Sequence, residues 1–223
     1  MIKNINITYN SASQLHITWE WRDNQDPSII PSCQIFCCGV PEDTLLEEGL
    51  FLENEILEYF NDKVLGNESL DMRQRIDSYT NRHSNVSRKR EYQRQSNQRE
   101  AVDFKLYDGA ENHILLVYIY DDNEIFSRII ANGKGQEIPF EEEKLSFAQK
   151  IKRTLRNNHN DTRVGITIGN DDGRKKVIAY QTGGKTLYSV LPEGYTKYYL
   201  DSQVNLSNVK IYYLASLIGK TNL

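Results

Sequence analysis

The chain has 223 residues, 39% hydrophobic and 26% charged, with a net charge of −4 at neutral pH. That is a globular balance, long enough for one large domain or two of ordinary size. The acidic total argues against an overall nucleic-acid footprint, and no apolar run approaches the roughly 18 residues that span a bilayer.

The first strand is expected over 2–9, where Ile2, Ile5, Ile7 and Tyr9 supply the apolar side, with a turn at Asn10–Ser13. The next stretch organises the rest. Leu15, Ile17, Trp19 and Trp21 alternate with His16, Thr18 and Glu20, so both tryptophans of the chain share one strand face. Large aromatics dominate the burial energy of a small core, and this stretch reads as the central strand of a β-sandwich. After a loop punctuated by Pro27 and Pro31, residues 32–39 form a third strand. It carries Cys33, Ile35 and Cys37 on one face, with Phe36 and Cys38 on the other, and two apolar faces predict a buried middle position.

At Pro41 the period changes. Leu45, Leu46, Leu52, Ile56, Leu57, Phe60 and Val64 recur at helical spacing within 44–65, interrupted near Gly49. Asp43 or Thr44 is the expected start and Gly66 the expected end. A shorter helical or irregular piece follows to about Thr80, so 42–80 is a helical insertion in a β-domain. Strands resume at 87–94, 100–107, 113–121 and 124–131, with turns at Asp108-Gly109 and Asp122-Asn123. The break at 132–139 sets a domain boundary, giving a first domain over 1–132 and a smaller β-domain over 139–223. Strands are expected in the latter at 145–155, 163–169, 175–181, 186–191, 196–203 and 208–215. The composition of 145–155 also suits a helix.

The residue types that carry chemistry are scattered. Ala179–Thr186 fits a relaxed phosphate-loop pattern, with Gly184, Lys185 and Thr186 as candidate nucleotide ligands. The chemistry needs a helix opening at the lysine, but Leu187–Leu191 alternates like a strand and Pro192 follows, so a Gly183-Gly184 hairpin turn is the expected reading. Cys33, Cys37 and Cys38 are candidate metal ligands, yet their spacing lacks the paired clusters of a zinc site. Buried, reduced thiols in a cytoplasmic protein fit better, as does the absence of a secretory pattern at Met1–Asn4. Asp121-Asp122 and Asn170–Gly173 offer carboxylates for a cation but read as turns. No cofactor and no metal are expected.

The charge is segregated. Glu42–Asp62 holds eight acidic residues and no basic one, whereas 82–99 holds six basic residues against Glu91 alone. Arg88, Lys89, Arg90, Tyr92 and Arg94 are the candidate binding residues, with cations for phosphate and a ring for stacking. Tyr195, Tyr198, Tyr199, Tyr212 and Tyr213 form a late aromatic group that suits an interface or a sugar platform.

The order of strands, the Trp19 strand, Arg90-Glu91-Tyr92, the apolar run Ile114–Tyr120 and the second all-β block resemble tandem fibronectin type III-like or immunoglobulin-like sandwiches. The resemblance covers most of the chain outside 42–80. The Cys–Trp–Cys spacing of true immunoglobulin domains is absent. It implies a mainly β chain of two sandwiches with a role in adhesion, docking or assembly. With no catalytic constellation in a supporting context and with reduced cysteines, the expected reading is a non-catalytic, cytoplasmic protein-interaction module with another protein as partner. The alternatives are nucleic-acid or nucleotide binding through 82–99 or the Gly183–Thr186 turn, and carbohydrate binding through exposed Trp and Tyr.

Overall fold

A computed structural model of the chain describes residues 2–11, 13–22, 30–95, 99–132, 137–144, 163–169, 172–201 and 203–221. The chain is mainly β, with several antiparallel sheets. It divides into two units, Met1–Lys134 together with Ile218–Leu223, and Gly135–Leu217. Among the described residues, no helix is long and apolar enough to cross a membrane.

The first unit is built from β1 (Ile2–Ser11), β2 (Gln14–Trp21), β3 (Ser32–Pro41), β4 (Ser87–Gln93), β5 (Arg99–Lys105), β6 (His113–Tyr120) and β7 (Ile125–Ile130). They pair into a three-stranded sheet A, order β1-β2-β5, and a four-stranded sheet B, order β4-β3-β6-β7. Alternation decides which side chains meet. Leu15, Ile17, Trp19 and Trp21 of β2 share one core with Cys33, Ile35 and Cys37 of β3 and with Leu115, Val117 and Ile119 of β6. The tryptophans are 2% and 5% exposed, and Trp19 meets Trp21 edge-on at 6.0 Å.

Sheet B is buried on its second face as well, as the doubly apolar β3 requires. Phe36, Cys38, Leu116, Tyr118 and Ile129 are buried there, and helices lie against β3, β4 and β7. These helices are α1 (Glu42–Glu47), α2 (Glu53–Tyr59), which continues as a π-helical turn over Phe60–Val64, and α3 (Met72–Arg82). Leu45, Ile56, Phe60, Leu65 and Ile76 are fully buried. Phe36 meets Tyr79 edge-on at 6.3 Å, and the Tyr118 hydroxyl donates to Asn61 Oδ1 at 2.5 Å.

The helix ends follow from local chemistry, in part from other residues than the sequence suggests. Neither Asp43 nor Thr44 caps α1. Its N-cap is Pro41, with no side-chain bond, because β3 runs directly into the helix. Gly49, at φ +73°, breaks the segment as expected. The Glu55 carboxylate then accepts from the Phe51 and Leu52 N–H groups and starts α2. At α3, Asp71 Oδ1 accepts from the Gln74 N–H while Gln74 Oε1 accepts from the Asp71 N–H, a reciprocal capping box. The Arg75 guanidinium donates to the Asn61 and Gly66 carbonyls, tying α3 to the end of the π turn.

The second unit contains β8 (Phe140–Glu142), β9 (Arg163–Ile168), β10 (Lys176–Thr182), β11 (Lys185–Leu191), β12 (Lys197–Asp201) and β13 (Lys210–Tyr212); α4 (Leu214–Thr221) starts in it, and its residues from Ile218 on are counted with the first unit. The sheet orders are β12-β9-β8 and β11-β10-β13. Ile166, Ile168, Ile178, Leu191, Leu200 and Ile211 form their shared core. Two expectations change. The strand expected over 208–215 stops at Tyr212, because Leu214 and Ile218 recur at a four-residue interval and open a helix instead. The short β8 is added. The expected strand over 145–155 lies outside the described residues.

Candidate functional site

The candidate binding residues sit on β4, the outermost strand of sheet B. The pleat separates them. Arg88 and Arg90 are exposed on the face that continues into the inter-sheet core, opposite Cys37 and Ile35 of β3. Tyr92 shares that face but is half-buried, its ring edge-on to Trp19 at 6.1 Å. Burial raises its hydroxyl pKa, and the neighbouring Arg90 works against that rise. The expected stacking ring is therefore a core residue. Lys89 points to the other face, where its ammonium pairs with Asp77 of α3 and lies 5.9 Å from the Tyr120 ring centroid. Burial disfavours the Lys89 charge, but the Asp77 bond and the Tyr120 hydroxyl outweigh it, so its pKa is raised. Arg94 lies past the strand end, its N–H bonded to the Pro31 carbonyl. The five residues do not form one platform. Arg88 and Arg90 are the pair that stays together in solvent.

Cys33, Cys37 and Cys38 are free and buried. Because they belong to one strand, Cys33 and Cys37 face sheet A, while Cys38 faces the helices. Burial pushes the Cys33 thiol up to about 12 and raises Cys37 and Cys38 further from the thiolate range. No cluster of three or more potential metal ligands occurs among the described residues.

Gly183 and Gly184 form the two-residue turn between β10 and β11, with Thr182 opposite Lys185 and φ values of +55° and +75°. Two positive φ values are what a type I′ hairpin turn demands. Lys185 and Thr186 then begin β11, so a strand and not a helix opens at the lysine. The phosphate-loop candidates Gly184, Lys185 and Thr186 are turn and strand residues.

The acidic turns are occupied by local bonds. Asp121 Oδ1 accepts from the Asn123 and Glu124 N–H groups. Asp172 accepts from the Arg174 N–H, from Lys176 Nζ at 3.0 Å and from the Tyr213 hydroxyl. The Tyr213 bond, followed by Lys176, holds its carboxyl down at about 2. Arg174 covers the Tyr213 ring at 3.9 Å. Within the late tyrosine group Tyr195 and Tyr199 are exposed, whereas Tyr212 is buried and bonded to Glu137. Burial of Trp19 and Trp21 removes the tryptophans from any sugar platform.

Two features escaped the sequence. A cleft of about 590 Å³ opens where β1 and β7 end their sheets, lined by Ile2, Asn4, Ile5, Ile119 and Phe126, with the Arg22–Glu124 ion pair at its mouth. Asn4 lies at φ +54° beside a register shift in β1, and that irregularity between Lys3 and Asn6 shapes the cleft. The second feature is a crossing in the β5–β6 corner. Buried Tyr107 runs beneath β3 at Gly39, and its hydroxyl lies 2.8 Å from His113 Nδ1. Burial lowers the His113 pKa, so the neutral ring accepts from Tyr107. Folding favours the neutral form of His113. That contribution is present above the ordinary histidine pKa of about 6.5 and is lost as pH falls below it. Urea midpoints at falling pH should therefore decline through this range, and a His113→Gln chain should lose that part of the slope. An unchanged slope would show that His113 is not linked to folding. No protein-family model matches the chain, and no curated protein matches it.

Proposed function

We propose that the chain is a non-catalytic, intracellular protein-interaction module built on tandem β-sandwiches of the fibronectin type III kind. The fold reading is supported by strand order. A β1-β2-β5 sheet against a β4-β3-β6-β7 sheet is the distribution of strands A-B-E and C′-C-F-G in that module. Tyr107, buried in the corner between β5 and β6 with its hydroxyl bonded within the corner, is a variant of the tyrosine corner of such sandwiches. The second unit, with two three-stranded sheets over one core, is read as a smaller sandwich. Free thiols on adjacent residues of β3 suit a reducing compartment.

The observation that carries the interaction reading is the helical layer between β3 and β4. Its inner side is fixed to sheet B, while Asp43, Glu47, Glu48, Glu58 and Asp62 are exposed. Over 42–64 these carboxylates outnumber the exposed Lys63, and such a predominantly acidic surface steers and selects a basic protein surface. The test is capture from a native extract by the intact chain. A specific protein should be retained, its retention weakened by salt and by reversing Glu47, Glu48 and Glu58 to lysine. Retention of no protein by the unaltered chain would sink the proposal.

Exposed Arg88 and Arg90 favour a second reading, nucleic-acid binding through 82–99. It requires retardation of single- or double-stranded probes that fades as salt rises.

A further inference from the structure

We infer that the outer side of β4 is a docking strand for an extended acidic segment of a partner protein, added to sheet B through main-chain hydrogen bonds. The inference rests on the interaction-module reading and places a second contact of that module away from its acidic helices.

Three observations converge on this edge. First, β4 ends sheet B, and among the described residues only β3 pairs with it. Its free side thus presents a row of N–H and C=O groups, the template on which strand addition works. Second, β4 is regular. Its seven residue pairs with β3, from Ser32↔Gln93 to Cys38↔Ser87, run without a register shift. The edge strand β1 of sheet A, by contrast, has two register shifts and a left-handed Asn4, devices that spoil an edge for pairing. Third, the charge on β4 is ordered by the pleat. Arg88 and Arg90 stand exposed two residues apart on one face, with Arg90 hydrogen-bonded to Tyr92, while on the other face Lys89 is paired to Asp77 and Glu91 is exposed.

Arginines on an edge work as a filter. They oppose pairing with a second β4, which would set arginine beside arginine, and they disfavour neutral strands that offer no compensating charge. A strand carrying carboxylates at alternate positions reverses the sign of the same interaction and gains the main-chain ladder as well. The spacing of Arg88 and Arg90 therefore prescribes a period-two acidic segment. Spanning β4 takes about seven residues at roughly 3.3 Å each.

The test uses the full chain and fluorescence anisotropy with a labelled peptide of about ten residues alternating glutamate and valine, long enough to cover β4. Three comparisons accompany it: a lysine–valine peptide, the glutamate–valine peptide N-methylated at alternate residues, and a single-stranded DNA of similar charge. The glutamate–valine peptide should bind, more weakly as salt rises. Binding should fall about tenfold or more in Arg88→Glu/Arg90→Glu, the order expected when two cross-strand pairs change sign, and less in Arg88→Gln/Arg90→Gln. The lysine–valine and N-methylated peptides should not bind. Thermal unfolding matching the unaltered chain verifies that both variants fold. No binding of the glutamate–valine peptide overturns the inference. So does equal binding of its N-methylated form, which would mean charge attraction without strand addition, or DNA binding tighter than peptide and lost in both variants, which would make this edge a nucleic-acid contact. If capture from extract succeeds while the glutamate–valine peptide does not bind, the docking strand falls while the interaction module stands. A chain that captures nothing overturns the reading beneath it.

Discussion

Replacing Trp19 by alanine is expected to cost the first unit about 3–5 kcal/mol, the range seen when a large buried aromatic is removed from a core. Trp19 is 2% exposed and lies edge-on to Trp21 of its own strand at 6.0 Å and to Tyr92 at 6.1 Å, so its ring joins sheet A to the edge strand of sheet B. Alanine forfeits the transfer energy of the ring and leaves a cavity with aromatic walls that are too rigid to collapse. The indole N–H finds no acceptor among the described residues. Trp19→Phe therefore loses volume but no hydrogen bond and should cost clearly less than alanine. Chemical unfolding followed by tryptophan fluorescence from Trp21 and by circular dichroism measures both. An alanine variant with an unchanged midpoint would show that the two sheets are joined elsewhere.

Gly39→Ala should be nearly as damaging despite adding one methyl group. A Cβ at this position would lie 2.1 Å from the Tyr107 hydroxyl, 2.7 Å from Leu115 Cδ2 and 3.0 Å from His113 Cβ. Real Cβ contacts do not approach so closely, so Tyr107 must move, and its bond to His113 breaks as it does. Overpacking of this kind costs about 1–3 kcal/mol and a stranded buried polar group about as much again, giving an expected loss of about 3 kcal/mol. The double variant decides the mechanism. Tyr107→Phe alone should cost about 1 kcal/mol through the lost hydrogen bond. In the Gly39→Ala background it should instead recover stability, because the colliding oxygen is gone. Additive losses in this cycle would mean that the glycine serves something other than passage of Tyr107.

What the sequence made legible follows from periodicity. Two apolar faces on 32–39 required a strand covered on both sides, and β3 lies between β4 and β6 with a sheet below it and helices above. The tryptophan strand faces its core for the same reason. Periodicity does not say how far a side chain reaches. Arg88, Arg90 and Tyr92 share a strand face, yet the arginines reach solvent while Tyr92 folds under to Trp19. A short apolar run is also ambiguous between periods, which is why the expected strand over 208–215 takes in Leu214 and Ala215, the first residues of α4. Gly39 and Tyr107 carry no shared local signal, because their contact exists only after the β5–β6 corner has closed over β3.

The thiols of β3 give the fold a built-in clock. A burial-raised thiol cannot react with an alkylating reagent until its surroundings open, so its labelling rate measures local unfolding rather than intrinsic reactivity. Cys38 is released when the helical layer lifts, Cys37 when the two sheets part. One strand thus carries separate reporters for its two faces, and their relative rates tell whether the helices detach from sheet B before the sandwich itself gives way.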